Sequence, residues 1–139
     1  MNSIKRNKQL ILDYINALSG HEKTTERLLK YNADRGLIGY IQFIDSVFPA
    51  YEVFVEEMMA EGDKVIVRAR FRGRHEGTIM GFEATHRVIE YPFVVRYQIK
   101  DDKIINSWVV ADNLVLAEAV GMKSIRPNTA QRANNTEQQ

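Results

Sequence analysis

The chain is expected to fold as an α+β domain: helices first, then a curved antiparallel sheet whose apolar face the helices close over. Apolar side chains recur three and four apart through residues 4–48 and two apart through residues 51–111, so the period changes once, at Pro49. The period-2 segments then follow one another through short turns with no helix between them, which makes sequential neighbours antiparallel.

The elements follow in order. Ile4, Leu10, Ile11, Tyr14, Ile15 and Leu18 give residues 4–18 one apolar helical face, ended by Ser19-Gly20. A shorter helix is expected over Thr24–Tyr31, with Leu28 and Leu29 as apolar contacts. Asn32-Ala33-Asp34 interrupts the pattern, and Asp34 has the place of an N-cap for a third helix. That helix carries Leu37, Ile41, Ile44 and Phe48 at helical spacing, widened by Ile38, Tyr40, Phe43 and Val47, a stripe broad enough for burial on a wide front. Pro49 stops it.

Tyr51–Met59 and Val65–His75 form a hairpin about the turn Glu61-Gly62-Asp63-Lys64. In the second strand Val65, Val67, Ala69, Phe71, Gly73 and His75 share one face, and Arg68, Arg70, Arg72 and Arg74 share the other. A loop runs to about Thr85. Arg87–Ile99 is a long strand with Ile89, Tyr91, Phe93, Val95 and Tyr97 inward, and Pro92 within it suggests a bulge. Asp101-Asp102 turns the chain into a last strand over residues 103–111, and a short closing helix runs to Val120 with Gly121 as its C′ residue. Residues 1–123 are expected to be one domain, and residues 124–139, polar and without hydrophobic period, a disordered tail.

The last strand and its helix hold the candidate site. Simple alternation puts Ile104, Asn106, Trp108 and Val110 on one face, with Asp112 where that face ends. Asp112 has two readings. As an N-cap it accepts from backbone N–H groups and its charged form is favoured; as a pocket carboxylate beside Trp108, desolvation favours its protonated form and suits it to proton transfer. His75 likewise reads either as a pocket imidazole beside Gly73 and Gly77 or as an ordinary strand-end histidine.

Composition narrows the classes. The chain has 139 residues, 45% hydrophobic and 27% charged, with formal net charge +1 and no cysteine. No thiol nucleophile, disulfide framework or zinc–thiolate site is available. The histidines lack metal-ligand spacing, and no P-loop, dinucleotide fingerprint or nucleophile elbow occurs. Neither a metal nor a cofactor is expected. The arginine ladder faces Glu52, Glu56 and Glu57 of the neighbouring strand, so cross-strand ion pairs account for it without nucleic acid. The N-terminus lacks a signal-peptide core and no run reaches membrane-spanning length, so a cytoplasmic protein without membrane contact is expected.

Phe48-Pro49, Ala60-Glu61-Gly62-Asp63-Lys64-Val65, Gly73-x-His75-x-Gly77, Met80-Gly81, Lys103-Ile104-Ile105 and Trp108-x-x-x-Asp112 occur in an order that resembles the SnoaL-like polyketide cyclase or ester cyclase family of the NTF2-like superfamily. The resemblance spans about residues 5–121. It implies a cone-shaped sheet wrapped around N-terminal helices, a deep hydrophobic pocket, a homodimer through the sheet, and an aspartate at the place of Asp112 acting as general acid/base in ring closure without metal or cofactor. Ser107 stands where many members have His, and the polyketide cyclases' insertion between the second and third helices is absent.

The expected function is therefore that of a cyclase, isomerase or hydrolase acting on an apolar carbonyl compound. Asp112 would be its acid/base, with Asn106 or His75 orienting the carbonyl. Phe71, Tyr91, Phe93, Tyr97 and Trp108 would line the pocket. The alternative is a non-catalytic dimeric module binding a small apolar ligand or a protein partner. Phe54, Val88, Val94, Ile105 and Val109, on the opposite parity, are the expected dimer face.

Overall fold

The computed structural model describes residues 3–121; the expected tail lies outside the described residues. Helices α1 (Ser3–Leu18), α2 (Thr25–Leu29) and α3 (Arg35–Val47) precede strands β1 (Glu52–Glu61), β2 (Lys64–Arg74), β3 (Val88–Lys100) and β4 (Lys103–Ala111), and α4 (Asn113–Val120) closes the chain. The four strands form one antiparallel sheet in sequential order. This is the expected α+β arrangement, with α2 shorter than the expected Thr24–Tyr31 because Lys30 already caps it.

The caps explain the helix boundaries. Thr24 accepts from the Arg27 N–H and Asp34 from the Leu37 N–H, each three residues on. Behind the apolar faces lies one core, in which Ile11, Leu28, Phe48, Val65, Ala69 and Ile104 are wholly buried. The linker before α3 is tied to β4, the Ile104 N–H donating to the Tyr31 carbonyl and the Ala33 N–H to that of Ile104. Asn32, buried there, donates to the Tyr14 hydroxyl and accepts from the Asp34 N–H.

Two glycines permit close approaches that a side chain would block. A Cβ on Gly73 would stand 2.8 Å from the Phe48 Cβ, and one on Gly77 would stand 2.8 Å from the Ser46 carbonyl oxygen. The backbone N–H groups of Glu76 and Gly77 both donate to the Val47 carbonyl, docking the loop after β2 onto the end of α3.

The sheet departs from simple alternation at two places. In β1 the register shifts between Val55 and Glu57; in the β3–β4 pair Ile99 faces Ile104 but Gln98 faces Asn106, leaving Ile105 as the extra residue. Pro92 makes no bulge, since it pairs regularly with Arg70. Its carbonyl accepts from the Asp112 N–H, so its missing N–H also points toward β4, just past the pair of Phe93 with Ala111 that ends the ladder.

The bulge at Ile105 reverses the parity of the rest of β4. Ile104 is buried, as expected, but Asn106, Trp108 and Val110 face outward while Val109 and Ala111 face the interior. The expected common face of Ile104, Asn106, Trp108, Val110 and Asp112 does not form, and Val109 leaves the expected dimer face.

On that outer face the arginine ladder is paired as its sequence context suggests. Arg68 meets Glu56 and Glu57, Arg72 meets Glu52, and Glu90 of β3 adds partners for Arg70 and Arg72. Such exposed pairs contribute about 0–1 kcal/mol each; they neutralise the ladder more than they hold the sheet.

Candidate site: a tyrosine-lined cavity beside a polar groove

Between the helices and the inner face of the sheet lies a cavity of about 80 Å³. Tyr14, Ile15 and Leu18 of α1, Leu37, Ile41 and Ile44 of α3, and inward residues of all four strands enclose it. Phe71, Tyr91, Phe93 and Tyr97 are in this wall, as the alternation of β2 and β3 predicts. The rings of Phe71 and Tyr91 stack at 4.5 Å, and Tyr97 meets Tyr14 edge-on at 6.0 Å.

Burial raises the pKa of the phenols of Tyr14, Tyr51, Tyr91 and Tyr97. They therefore stay neutral at physiological pH and offer a ligand hydroxyl groups within an apolar wall.

The cavity shares Leu37, Tyr40, Val109 and Ala111 with an open groove of about 510 Å³ between the start of α3 and β4. The groove is polar, with Asp34, Asn106, Ser107 and Asn113 on its walls. Asp34 accepts from the Leu37 N–H at 3.3 Å and from the Ser107 hydroxyl at 3.1 Å. Asn106 accepts at its amide oxygen from Arg96 at 2.6 Å, which orients its N–H₂ end as the donor. Pockets that enclose drug-sized ligands run from about 300 to 1,000 Å³, so the groove can take the body of such a molecule and the cavity only a narrow apolar end.

Asp112 itself lines neither the cavity nor the groove, although its neighbours Ala111 and Asn113 are groove-wall residues. Its carboxylate accepts from the Val115 N–H at 3.0 Å, so it caps α4 as the first of its two readings requires. Trp108 is 60% exposed on the outer face and does not line the cavity. That corrects the expected indole wall, and the cause is the bulge at Ile105.

His75 is wholly buried but lines neither the cavity nor the groove. Its Nδ1 accepts from the Thr85 N–H at 3.1 Å and its ring packs against Phe48. Its backbone N–H donates to the Arg87 carbonyl, and the His86 N–H donates to its own carbonyl. These contacts hold the loop of residues 76–86.

Sequence reasoning overlooked Lys23, which is 3% exposed and lines the cavity. Nothing in the local pattern marks it, because it lies in an irregular segment whose burial comes from Tyr51 and Asp45. Asp34 was legible only as a cap, since its place in the groove depends on the Ser107 contact 73 residues away.

Among the described residues no group of three His, Cys, Asp or Glu side chains could hold a metal ion, and no helix is long and apolar enough to cross a membrane.

A four-stranded antiparallel sheet curved over helices around a cavity defines an NTF2-like α+β fold. The profile of the SnoaL-like polyketide cyclases matches residues 20–120, and the chain belongs to that family. Among solved structures, AclR from Streptomyces galilaeus, a proposed hydroxylase, is similar over 97% of this chain and 93% of its own, with 20% identity and a TM-score of 0.77. A proposed SnoaL-like polyketide cyclase from Jannaschia sp. CCS1 is similar over 91% and 97%, with 20% identity and a TM-score of 0.73. IdmH from Streptomyces antibioticus, a proposed polyketide cyclase, is similar over 84% and 99%, with 22% identity and a TM-score of 0.69. At these identities the likeness is one of fold. A search of curated proteins found no match.

Proposed function

We propose that this protein is a cyclase-type enzyme that works without metal or cofactor on an apolar small molecule bearing carbonyl groups. The carrying observation is that the tyrosine-lined cavity and the polar groove adjoin, with Leu37, Tyr40, Val109 and Ala111 common to their walls. In this reading the cavity holds an apolar end of the ligand, and the adjoining groove offers polar groups to its carbonyl end. The family supports the class of reaction.

In this reading Asp112 is the general acid/base. Its carboxylate takes a proton from the carbon beside a carbonyl, the resulting enolate carbon attacks a second carbonyl of the same molecule, and the alkoxide formed takes the proton back. Asn106 stands about 20 Å along β4 from Asp112 and is held by Arg96 of the outer face, so it takes no part in this step. Asp34 is the second candidate for the proton transfer, favoured by its place on the groove wall. In this arrangement His75 and Trp108 take no part in the chemistry.

The test is turnover of synthetic poly-β-keto esters, followed as appearance of a cyclised product, by wild type, Asp112→Asn and Asp34→Asn. Loss in Asp112→Asn with retained fold and binding is expected. Loss only in Asp34→Asn would move the role to Asp34, and no closure by wild type would favour the non-catalytic binding module.

We also propose a homodimer through the outer face of the sheet. Met59, Ile66, Arg96 and Trp108 form one row across all four strands, and Val94 pairs with Val110 in the next. Met59, Ile66, Trp108 and Val110 are exposed, and the charged residues between them carry both signs, so the patch can meet a second copy of itself about a two-fold axis. A cytoplasmic location accords with this reading.

A further inference from the structure

We propose that the free edge of β4 is a docking site for a short, extended, basic peptide, which adds to the sheet as a further strand along the groove. The proposal goes beyond the ring-closing reading and does not depend on it.

β4 ends the sheet and is paired only with β3. In an antiparallel ladder successive residues turn their backbone N–H and C=O groups alternately toward the partner and away from it. The Asp112 N–H donates to the Pro92 carbonyl, so Asp112 faces β3, and in the regular register Val110, Trp108 and Asn106 face it too. The backbone groups of Ser107, Val109 and Ala111 therefore point away from β3. These three residues are half-buried and stand in the groove wall. Among the described residues no other segment pairs with their backbone groups.

The same edge already takes a strand where the chain supplies one. Asn32 forms a parallel bridge with Ile104, flanked by the bonds from the Ile104 N–H to Tyr31 and from the Ala33 N–H to Ile104. After Asp34 the chain leaves the edge to form α3, and the groove lies between α3 and the rest of β4. The edge left uncovered from Ser107 to Ala111 runs for about 13 Å, the length of a strand of about five residues. Between Asn106 and Ala111 it has no proline or charged residue to guard it against pairing.

Charge selects the occupant. Asp34 is the one charged side chain in the groove wall, and it accepts there from the Leu37 N–H and the Ser107 hydroxyl, both neutral. A lysine or arginine on the incoming strand would supply the missing cation. Tyr40, 44% exposed, adds an aromatic surface to the same groove. In strand addition the main-chain hydrogen bonds give affinity and the side-chain contacts give selectivity.

The full-length, isotope-labelled protein is titrated with acetyl-Val-Lys-Val-Lys-Val-amide, and amide signals and their hydrogen exchange are followed by NMR. The Ser107, Val109 and Ala111 amides should exchange quickly in the free protein. With peptide they should shift and exchange roughly tenfold more slowly. The same peptide with every backbone amide N-methylated should produce neither effect. Wild type should prefer the lysine peptide to acetyl-Val-Thr-Val-Thr-Val-amide roughly threefold, and Asp34→Asn should lose that preference. Equal binding of these two peptides by wild type would overturn the basic occupant, whether or not the variant folds. Three amides left unmoved at millimolar lysine peptide, or equal binding of its N-methylated form, would overturn the docking site. So would slow exchange of these amides before peptide is added. The edge would then belong to residues 122–139, or to a second copy if protection grew with protein concentration.

Discussion

Trp108 stands directly across from Arg96 on the outward face of the β3–β4 pair, and 60% of its surface is exposed. An exposed indole beside Met59, Ile66 and Val110 is costly to leave in water, which is why we expect a second copy to cover it. Sedimentation equilibrium at micromolar concentration should give a dimer, and Trp108→Glu a monomer of unchanged far-UV circular dichroism. Because Trp108 is the sole tryptophan, its emission should shift to longer wavelength as wild type is diluted. A wild-type monomer at all accessible concentrations would remove the dimer.

Asp112 carries a structural and a proposed catalytic task that two substitutions separate. Asp112→Ala removes the oxygen that accepts the Val115 N–H and should cost about 1 kcal/mol in urea unfolding. Asp112→Asn keeps a capping oxygen, so its stability should stay within about 0.5 kcal/mol of wild type while turnover disappears. Full activity in Asp112→Asn would reduce the residue to its cap.

Lys23 makes stability depend on pH in a predictable sense. Its folded pKa of about 8 lies below the ordinary 10.5, so between these values the unfolded chain holds more protons than the folded one. The penalty for burying the charge is complete below pH 8 and shrinks as pH rises toward 10.5. The buried tyrosines act in the opposite sense above pH 10, where only the unfolded phenols ionise freely. The urea midpoint should therefore gain a rising contribution between pH 8 and 10 and fall above it. Lys23→Met should lack the rise and keep the fall; an identical profile in both proteins would show that Lys23 does not titrate there.

His75 is expected to matter for stability and not for chemistry. His75→Ala empties a fully buried site against Phe48 and frees the Thr85 N–H, at a cost on the order of 3 kcal/mol. Gly77→Ala forces a Cβ to within 2.8 Å of the Ser46 carbonyl oxygen and should also lower the melting temperature. Below its melting transition His75→Ala should keep wild-type pH dependence of turnover. A lost or displaced pH limb would return the imidazole to the mechanism.

The order of elements, the caps at Asp34 and Asp112, and the inward set of Phe71, Tyr91, Phe93 and Tyr97 were all legible in the sequence. Each depends on a period or a capping distance within a few residues, and such local preferences survive into the fold when packing agrees with them. The pairing of Arg68 and Arg72 with the β1 glutamates was legible for a related reason, because alternation in β2 puts the arginines on one face beside them, whereas the partner of Arg70, Glu90 of β3, was not expected.

Tertiary structure alone decided the rest. One unpaired residue, Ile105, turned Trp108 and Asn106 outward and Val109 and Ala111 inward, and a bulge of this kind leaves no mark in an apolar strand whose two parities look alike. The meeting of Asp34 with Ser107 and the burial of Lys23 beneath Tyr51 likewise join segments far apart in the chain. The sequence by itself determined which faces could be buried. Which side chains share the cavity was set by strand register and loop docking, because those depend on contacts formed only once helices and sheet have closed on each other.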